Sequence, residues 1–221
     1  MKIAILGSGN VAYHLAKMFK EKNIPISQIF GRNEKDLQEI SEQFEIPFST
    51  TELVDAELYF IAVNDDAVAA ISKNIKNQNS LVAHTSGSLP KEILEGNYRK
   101  ASFYPLQTFS KSKMLQYSEI PFFVEAENEA DSQILENLAL KISEKVMKSD
   151  YEKRKYIHLT AVFACNFVNH LFGNIKEISD SSVIKPRLGR SKSKVMKITI
   201  QIRKQKPVIN LVFIFFSKPE L

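Results

Sequence analysis

Apolar runs and one-sided helical stripes alternate along the first 150 residues. Lys2 to Leu6 is apolar without a polar break after its first residue, the pattern of a buried parallel strand. Asn10 to Lys22 places Val11, Leu15 and Phe19 on one helical stripe, and Ile26 to Phe30 reads as a second strand. Glu34 to Phe44 is again helical, with Leu37, Ile40 and Phe44 on one face. Leu58 to Val63 and Ser80 to Ala83 are further strands, separated by a helix over Ala67 to Asn77. Ile120 to Val124 is another strand, and Ile134, Leu138 and Ile142 mark the helix after it. Strands alternating with helices of this length predict an α/β fold with a doubly wound parallel sheet over residues 1–150.

The pattern changes near Asp150. Tyr151 to Ile178 is one long helical segment with no Pro, apolar nearly all round between Leu159 and Leu171. Such a helix is usually buried on several sides, between domains or subunits. It opens a second, helical domain over residues 151–186. After Lys185-Pro186 the text is basic, with weak alternation from Lys197 to Ile202 and then a β-branched and aromatic run.

Charge sharpens that boundary. Residues 185–221 hold ten Lys/Arg and one Glu, whereas the preceding residues hold 20 basic and 24 acidic side chains. The body is therefore mildly acidic despite a net charge of +5, and lacks the basic stripe of a nucleic-acid binder. With 221 residues, 44% of them hydrophobic, the chain can build a real core. The single cysteine, Cys165, excludes a disulfide framework and a multi-cysteine zinc site, and fits a reducing compartment. Val208 to Phe216, interrupted by Asn210, is too short to span a bilayer, and the opening strand leaves no room for a signal peptide. A cytoplasmic protein that engages neither nucleic acid nor membrane is the expectation.

Gly7-Ser8-Gly9-Asn10-Val11-Ala12 fits G-x-G-x-x-A between a strand and an amphipathic helix, the context that gives the motif meaning. Gly7 permits the tight turn, Gly9 lets the backbone approach a pyrophosphate, and Ala12 allows close helix–strand packing. The free amides and positive end of the helix complete a dinucleotide cradle. Where an NAD site would end its second strand in an acid, this chain has Phe30-Gly31-Arg32-Asn33. Arg32 suits a 2′-phosphate, so NADP is expected over NAD. Asn64-Asp65-Asp66 follows the next strand and is a further candidate to line the cofactor crevice, with helix capping the alternative and the favoured reading for Asp65 and Asp66.

His84-Thr85-Ser86-Gly87 follows the Ser80 to Ala83 strand. It is either a polar wall facing a nicotinamide or substrate, with His84 and Ser86 as catalytic candidates, or a turn built around Gly87. Tyr104 to Thr108 reads as a third polar loop, with Gln107 as its ligand contact. The long helix carries His158, Asn166, Asn169 and His170 on an apolar surface. They are either satisfied core hydrogen bonds or, for His158 and Asn166, a polar patch on an interdomain cleft. Neither a metal-ligand cluster nor a nucleophile elbow is present in the sequence.

Taken in order, KIAILGSGNVAYHLA, FGRN, FIAVNDDAV, AHTSGSLP, YPLQTFS and HLTAVFACNFVNHLF resemble a bacterial family of proposed NADP oxidoreductases over residues 1–186. Its members pair a Rossmann-like domain with an uncharacterised helical C-terminal domain. Deazaflavin-dependent NADP oxidoreductase, pyrroline-5-carboxylate reductase and the 3-hydroxyacid dehydrogenases are more distantly related. The resemblance implies NADP at Gly7, Gly9 and Arg32, a cleft floored by His84 and Ser86, and a homodimer through the helical domain. Deazaflavin enters only as a co-substrate implied by the distant relatives. Tyr104 stands where the family usually has His before Pro. Past Pro186 the family continues with more helix and a Thr-Gly-Pro segment, and residues 187–221 contain neither; a shifted reading frame at this point would account for the tail.

The function expected from these readings is NADP-dependent hydride transfer to or from a small carbonyl or imine. In it Asn33, Ser8, Asn10 and Val11 complete the cofactor contacts, and His84, Ser86, His158 or Asn166 serves proton transfer and substrate orientation. The rivals are an NADP-binding sensor or structural subunit without turnover, and a partner binder working through the basic tail.

Overall fold

The computed structural model describes residues 1–165 and the strands at 195–200 and 209–214. Met1–Phe167 forms one compact unit and Val168–Leu221 another. In the first unit the strands are β1 (Ile3–Leu6), β2 (Gln28–Phe30), β3 (Phe48–Ser49), β4 (Leu58–Ile61), β5 (Leu81–His84), β6 (Arg99–Pro105), β7 (Phe122–Ala126) and β8 (Val146–Lys148). The helices are α1 (Asn10–Glu21), α2 (Glu34–Phe44), α3 (Asp65–Ser72) and α4 (Glu129–Leu140), followed by α5 from residue 151. The eight strands form one sheet in the order β3-β2-β1-β4-β5-β6-β7-β8. All pairs are parallel except β6 with β7, so the sheet is a Rossmann-type α/β arrangement with a reversed edge.

Every residue of β1, β4 and β5 is buried, as their unbroken apolar runs require. Alternate residues feed two cores. Ile5, Phe60, Ala83, Ala101 and Phe103 face the core that α1, α2 and α4 cover. Leu6, Ile61, Val82 and Tyr98 face a smaller one that α3 covers. Phe103 is fully buried between Phe60 and Phe122, with ring centroids 4.9 and 5.0 Å away, and each such ring contributes roughly 2 kcal/mol.

The sequence pattern does not announce β3, β6 or β8, β5 runs on to include His84, and further corrections follow. Tyr104 and Pro105 belong to β6, not to a loop. α3 ends at Ser72, not Asn77, because the buried Ser72 hydroxyl turns back to the Ala69 carbonyl and accepts the Glu95 N–H. The Ser72 carbonyl, in turn, accepts the Tyr98 hydroxyl. In α4 the buried face is Leu135, Leu138 and Ala139, and Ile134 points outward. The helix-capping position before α3 is Asn64, and Asp65 and Asp66 lie in the first turn.

In the second unit, β9 (Val195–Ile200) and β10 (Ile209–Ile214) pair antiparallel, with Ile200 opposite Ile209. The remainder of residues 166–221, including Asn166, Asn169 and His170, lies outside the described residues.

Candidate active site

β1 sits where the strand order reverses, between β2 and β4, and ligands of open α/β sheets bind at the carboxyl ends of strands there. The turn after β1 is shaped by glycine for two different reasons. Gly7 has φ +133°, and a Cβ on it would lie 2.1 Å from the Ala62 carbonyl oxygen, so no other residue fits. Its N–H donates to the Phe30 carbonyl at 2.7 Å, tying β1 to the end of β2. Gly9 is different: it caps α1 in an extended conformation, and nothing lies within 4 Å of the place a Cβ would occupy. Of α1 to α4, only α1 has no acidic residue in its first turn, and Gly9 supplies no side-chain cap. Its amides and positive dipole end are therefore available to an anion. Ala12 is fully buried, Val11 half-buried against the core, Ser8 half-buried and Asn10 exposed. The residues present fit a dinucleotide diphosphate.

At the end of β2, Arg32 is exposed. Asn33 caps α2 reciprocally: its Oδ1 accepts the Asp36 N–H at 3.3 Å, and its Nδ2 donates to Asp36 Oδ2 at 2.7 Å. Asn64 is exposed and makes no side-chain cap.

The turn after β5 is a hydrogen-bonded chain. The fully buried His84 accepts the Ser86 N–H at Nδ1, at 3.2 Å, which puts its proton on Nε2. Burial, assisted by the positive Arg154, pushes the His84 imidazole down to about 3, so it is neutral at physiological pH. The Ser88 hydroxyl donates to the Asp65 carboxylate, and Ser86 Oγ lies 3.1 Å from Ser88 Oγ while accepting the Ser88 N–H at 3.1 Å. Ser86 is thus polarised through Ser88 by the Asp65 carboxylate.

Side-chain alternation in β6 puts Ala101 and Phe103 in the larger core and turns Ser102 and Tyr104 to the opposite face. Across that face His84, Ser102 and Glu125 lie in one register row. α5 closes it with two residues four apart. Arg154, wholly buried, donates to Glu125 and, at 2.6 Å, to the Leu89 carbonyl. His158 Nδ1 is 2.8 Å from the Tyr104 hydroxyl. Burial raises the Tyr104 phenol well above its ordinary range, and burial lowers His158 while the Asp65 charge works the other way. Gly87 packs against both rings.

The predicted site residues therefore separate. His158 and Ser86 lie in one neighbourhood, linked through Gly87 and the Asp65 field, with Tyr104 as an unanticipated partner. His84 supports the Ser86 turn from the interior. Gln107 is exposed, and its side chain accepts its own neighbour's amide, from Thr108 at 2.8 Å. Arg154 and Ser88 are site residues that the sequence does not single out, and Asp65, for which helix capping is the favoured reading, belongs to the site as well. Arg154 and His158 at i, i+4 were legible as one helical face, but the bonds to Glu125 and Leu89 span too much sequence to be read from spacing. Among the described residues no His, Cys, Asp and Glu group forms a metal site, and no helix is long and apolar enough to cross a membrane.

Residues 2–86 match the family model described as NADP oxidoreductase coenzyme F420-dependent, and residues 120–206 match a domain of unknown function, DUF2520. None of the curated proteins matches the chain. Among solved structures, "putative NADP oxidoreductase BF3122" from Bacteroides fragilis is 35% identical with a TM-score of 0.75, covering 81% of this chain and 72% of that one. Protein TM1727 from Thermotoga maritima is 24% identical with a TM-score of 0.69, covering 84% of this chain and 73% of that one. A pyrroline-5-carboxylate reductase from Coxiella burnetii, 12% identical with a TM-score of 0.61 over 82% of this chain and 71% of its own, shares the fold. The identity to the Bacteroides protein over most of both chains shows that this protein belongs to the family of Rossmann-like NADP oxidoreductases that carry a C-terminal domain of unknown function.

Proposed function

We propose that the protein is an NADP-dependent oxidoreductase acting on a small carbonyl or imine compound. The observation that carries this reading is the uncapped, acid-free start of α1 at Gly9, at the point where the strand order reverses. The α1 amides would hold the diphosphate, and Arg32 the 2′-phosphate. When bound, the nicotinamide supplies or takes the hydride. The chain's own part is to move and hold protons. His158, held at Nδ1 by Tyr104, would present Nε2 to the reacting heteroatom as donor or acceptor. Ser86, polarised through Ser88 by Asp65, would accept an N–H or O–H and orient the substrate. His84, neutral and inward, keeps the Ser86 turn in place, a positioning role distinct from the catalytic one expected from sequence. Asn166 stays a candidate for orienting substrate.

Calorimetric titration with NADP and NAD tests the reading. NADP should bind the wild-type chain, and Gly9→Val should remove that binding without unfolding the protein.

A sensor without turnover is the second reading. It is favoured by the fact that two buried titratable groups of the site, His84 and Tyr104, are held far from neutral titration. A substrate screen with NADPH consumption as readout separates the two. We also propose a homodimer and a cytoplasmic location; the outward stripe of Tyr156, Leu159 and Phe163 on α5 supports the former, and light scattering in solution tests it.

A further inference from the structure

The loop between β6 and the 3-10 turn at Tyr117–Glu119 does not hang free. It folds back onto α1 and is fastened there at three points. The Lys111 N–H donates to Asn10 Oδ1 at 3.3 Å, within the G-x-G-x-x-A turn itself. The fully buried His14 donates from Nε2 to the Ser110 carbonyl at 2.9 Å, and its Nδ1 meets the Tyr117 hydroxyl at 2.7 Å. Lys111 is thereby fixed over the first turns of α1, its ammonium 5.8 Å from the Tyr13 ring centroid.

From that anchorage its side chain reaches across to α2. The ammonium lies 2.7 Å from Glu39 and 3.7 Å from Asp36. Asp36 is bonded to Asn33, the residue after Arg32. The Lys111 charge therefore sits one hydrogen-bonded step from the β2–α2 turn.

That position matters because the start of α2 is acidic. Glu34, Asp36 and Glu39 set three carboxylates against Arg32 and Lys35. A phosphate monoester carries a charge of about −1.5 to −2 near neutral pH, and this surplus of acid would oppose it. A third cation removes the surplus. We propose that Lys111 is a selectivity residue for the 2′-phosphate of NADP, working with Arg32 from a different part of the chain. It offsets Asp36 and Glu39, and its flexible stem allows the ammonium to turn to the phosphate when one is present. This inference rests on the reading of the α1 turn and Arg32 as an NADP site.

The test uses the full chain and two ligands that differ only in the phosphate concerned, adenosine 2′,5′-bisphosphate and adenosine 5′-monophosphate, titrated by calorimetry. Lys111→Met keeps the aliphatic stem on Tyr13 and removes the charge. It should weaken the bisphosphate about tenfold, the scale of one charge-assisted contact, and leave the monophosphate unchanged. Lys111→Arg should retain the advantage of the bisphosphate. Glu39→Gln discriminates between selectivity and mere tethering, since it breaks the same ion pair from the other side. It should leave bisphosphate binding equal or tighter, because an acid is removed and the ammonium is released. The proposal is overturned if Lys111→Met keeps the full preference for the bisphosphate, or if Glu39→Gln loses as much as Lys111→Met. A wild-type chain that binds both ligands equally overturns the proposal and the preference for NADP, while the diphosphate site stands. A wild-type chain that binds neither overturns the reading of the α1 turn as well.

Discussion

The Tyr104 hydroxyl and His158 Nδ1 meet at 2.8 Å, and Gly87 fills the angle between the two rings so closely that a methyl group there has no space. The pair joins the end of β6 to α5 across 54 positions of sequence. A Cβ at residue 87 would stand 2.6 Å from Tyr104 Cζ and 2.7 Å from His158 Nδ1. Gly87→Ala must therefore displace one ring or the other, and a destabilisation of about 1–3 kcal/mol is expected. Urea unfolding measures it. A Gly87→Ala chain as stable as wild type would show that the two rings are not packed as described.

Gly7 and Gly9 should respond in opposite ways. Gly7→Ala places a methyl group against the Ala62 carbonyl and requires a φ that L-residues avoid, so stability should fall by several kcal/mol, on the order of 3 or more. Gly9→Val meets open space in the free protein and should melt close to wild type. Its branched side chain would occupy the approach to the α1 amides, so NADP affinity should drop at least about tenfold, a loss of roughly 1.4 kcal/mol. Thermal denaturation paired with calorimetry separates the two effects. Undiminished affinity in folded Gly9→Val protein would sink the assignment of the turn.

The elements that were legible in the sequence are those whose burial pattern is uniform. The apolar spacing matches Glu34–Phe44 to the residue, and α1 to within one, because Leu37, Ile40 and Phe44, or Leu15 and Phe19, form unbroken stripes against one core. β6 escaped because only half of it is apolar: Ser102 and Tyr104 face a polar row, and Arg99 and Lys100 open the strand. Ser72 ended α3 early through bonds to Glu95 and Tyr98, which no local pattern announces. The same reason hid the partners of the site. The glycine turn is a local motif and could be read locally, whereas Tyr104–His158, Arg154–Glu125 and Asn10–Lys111 are contacts of the tertiary fold.

His84 makes a prediction about acid. Its folded-state value of about 3 lies below the 6.5 of an exposed imidazole, so the unfolded chain binds the extra proton first as pH falls. The stability that neutral, buried His84 supports is complete above about pH 6.5 and is lost progressively toward pH 3. Between pH 7.5 and 4.5 this one group should cost the wild type about 2–3 kcal/mol. Burial also lowers His14, which adds a loss of the same sign to wild type and variant alike. Urea midpoints at the two pH values, for wild type and His84→Gln, isolate the His84 share. Parallel pH dependence in the two chains would mean that His84 is not held neutral.

Enzyme and sensor part company at His158. A sensor needs only the α1 turn and its neighbours, so replacing His158 should alter stability alone. An enzyme that transfers hydride to a carbonyl or imine must also deliver a proton, and a donor has to come within about 3 Å of the reacting atom. His158 is half-buried, its Nδ1 occupied by Tyr104, which leaves Nε2 as its working nitrogen. Burial lowers its basicity, and the Asp65 carboxylate works the other way. His158→Gln keeps bulk and hydrogen bonding but removes titration. It should bind NADP normally and lose roughly 10²-fold or more in kcat for any substrate that wild type reduces. Tyr104→Phe frees Nδ1 without touching Nε2. It should retain more activity than His158→Gln but shift the pH profile of kcat, as expected of a residue that acts through another. Full turnover in His158→Gln, with substrate saturating, would remove α5 from the chemistry and leave Ser86, polarised by Asp65 through Ser88, as the group to pursue.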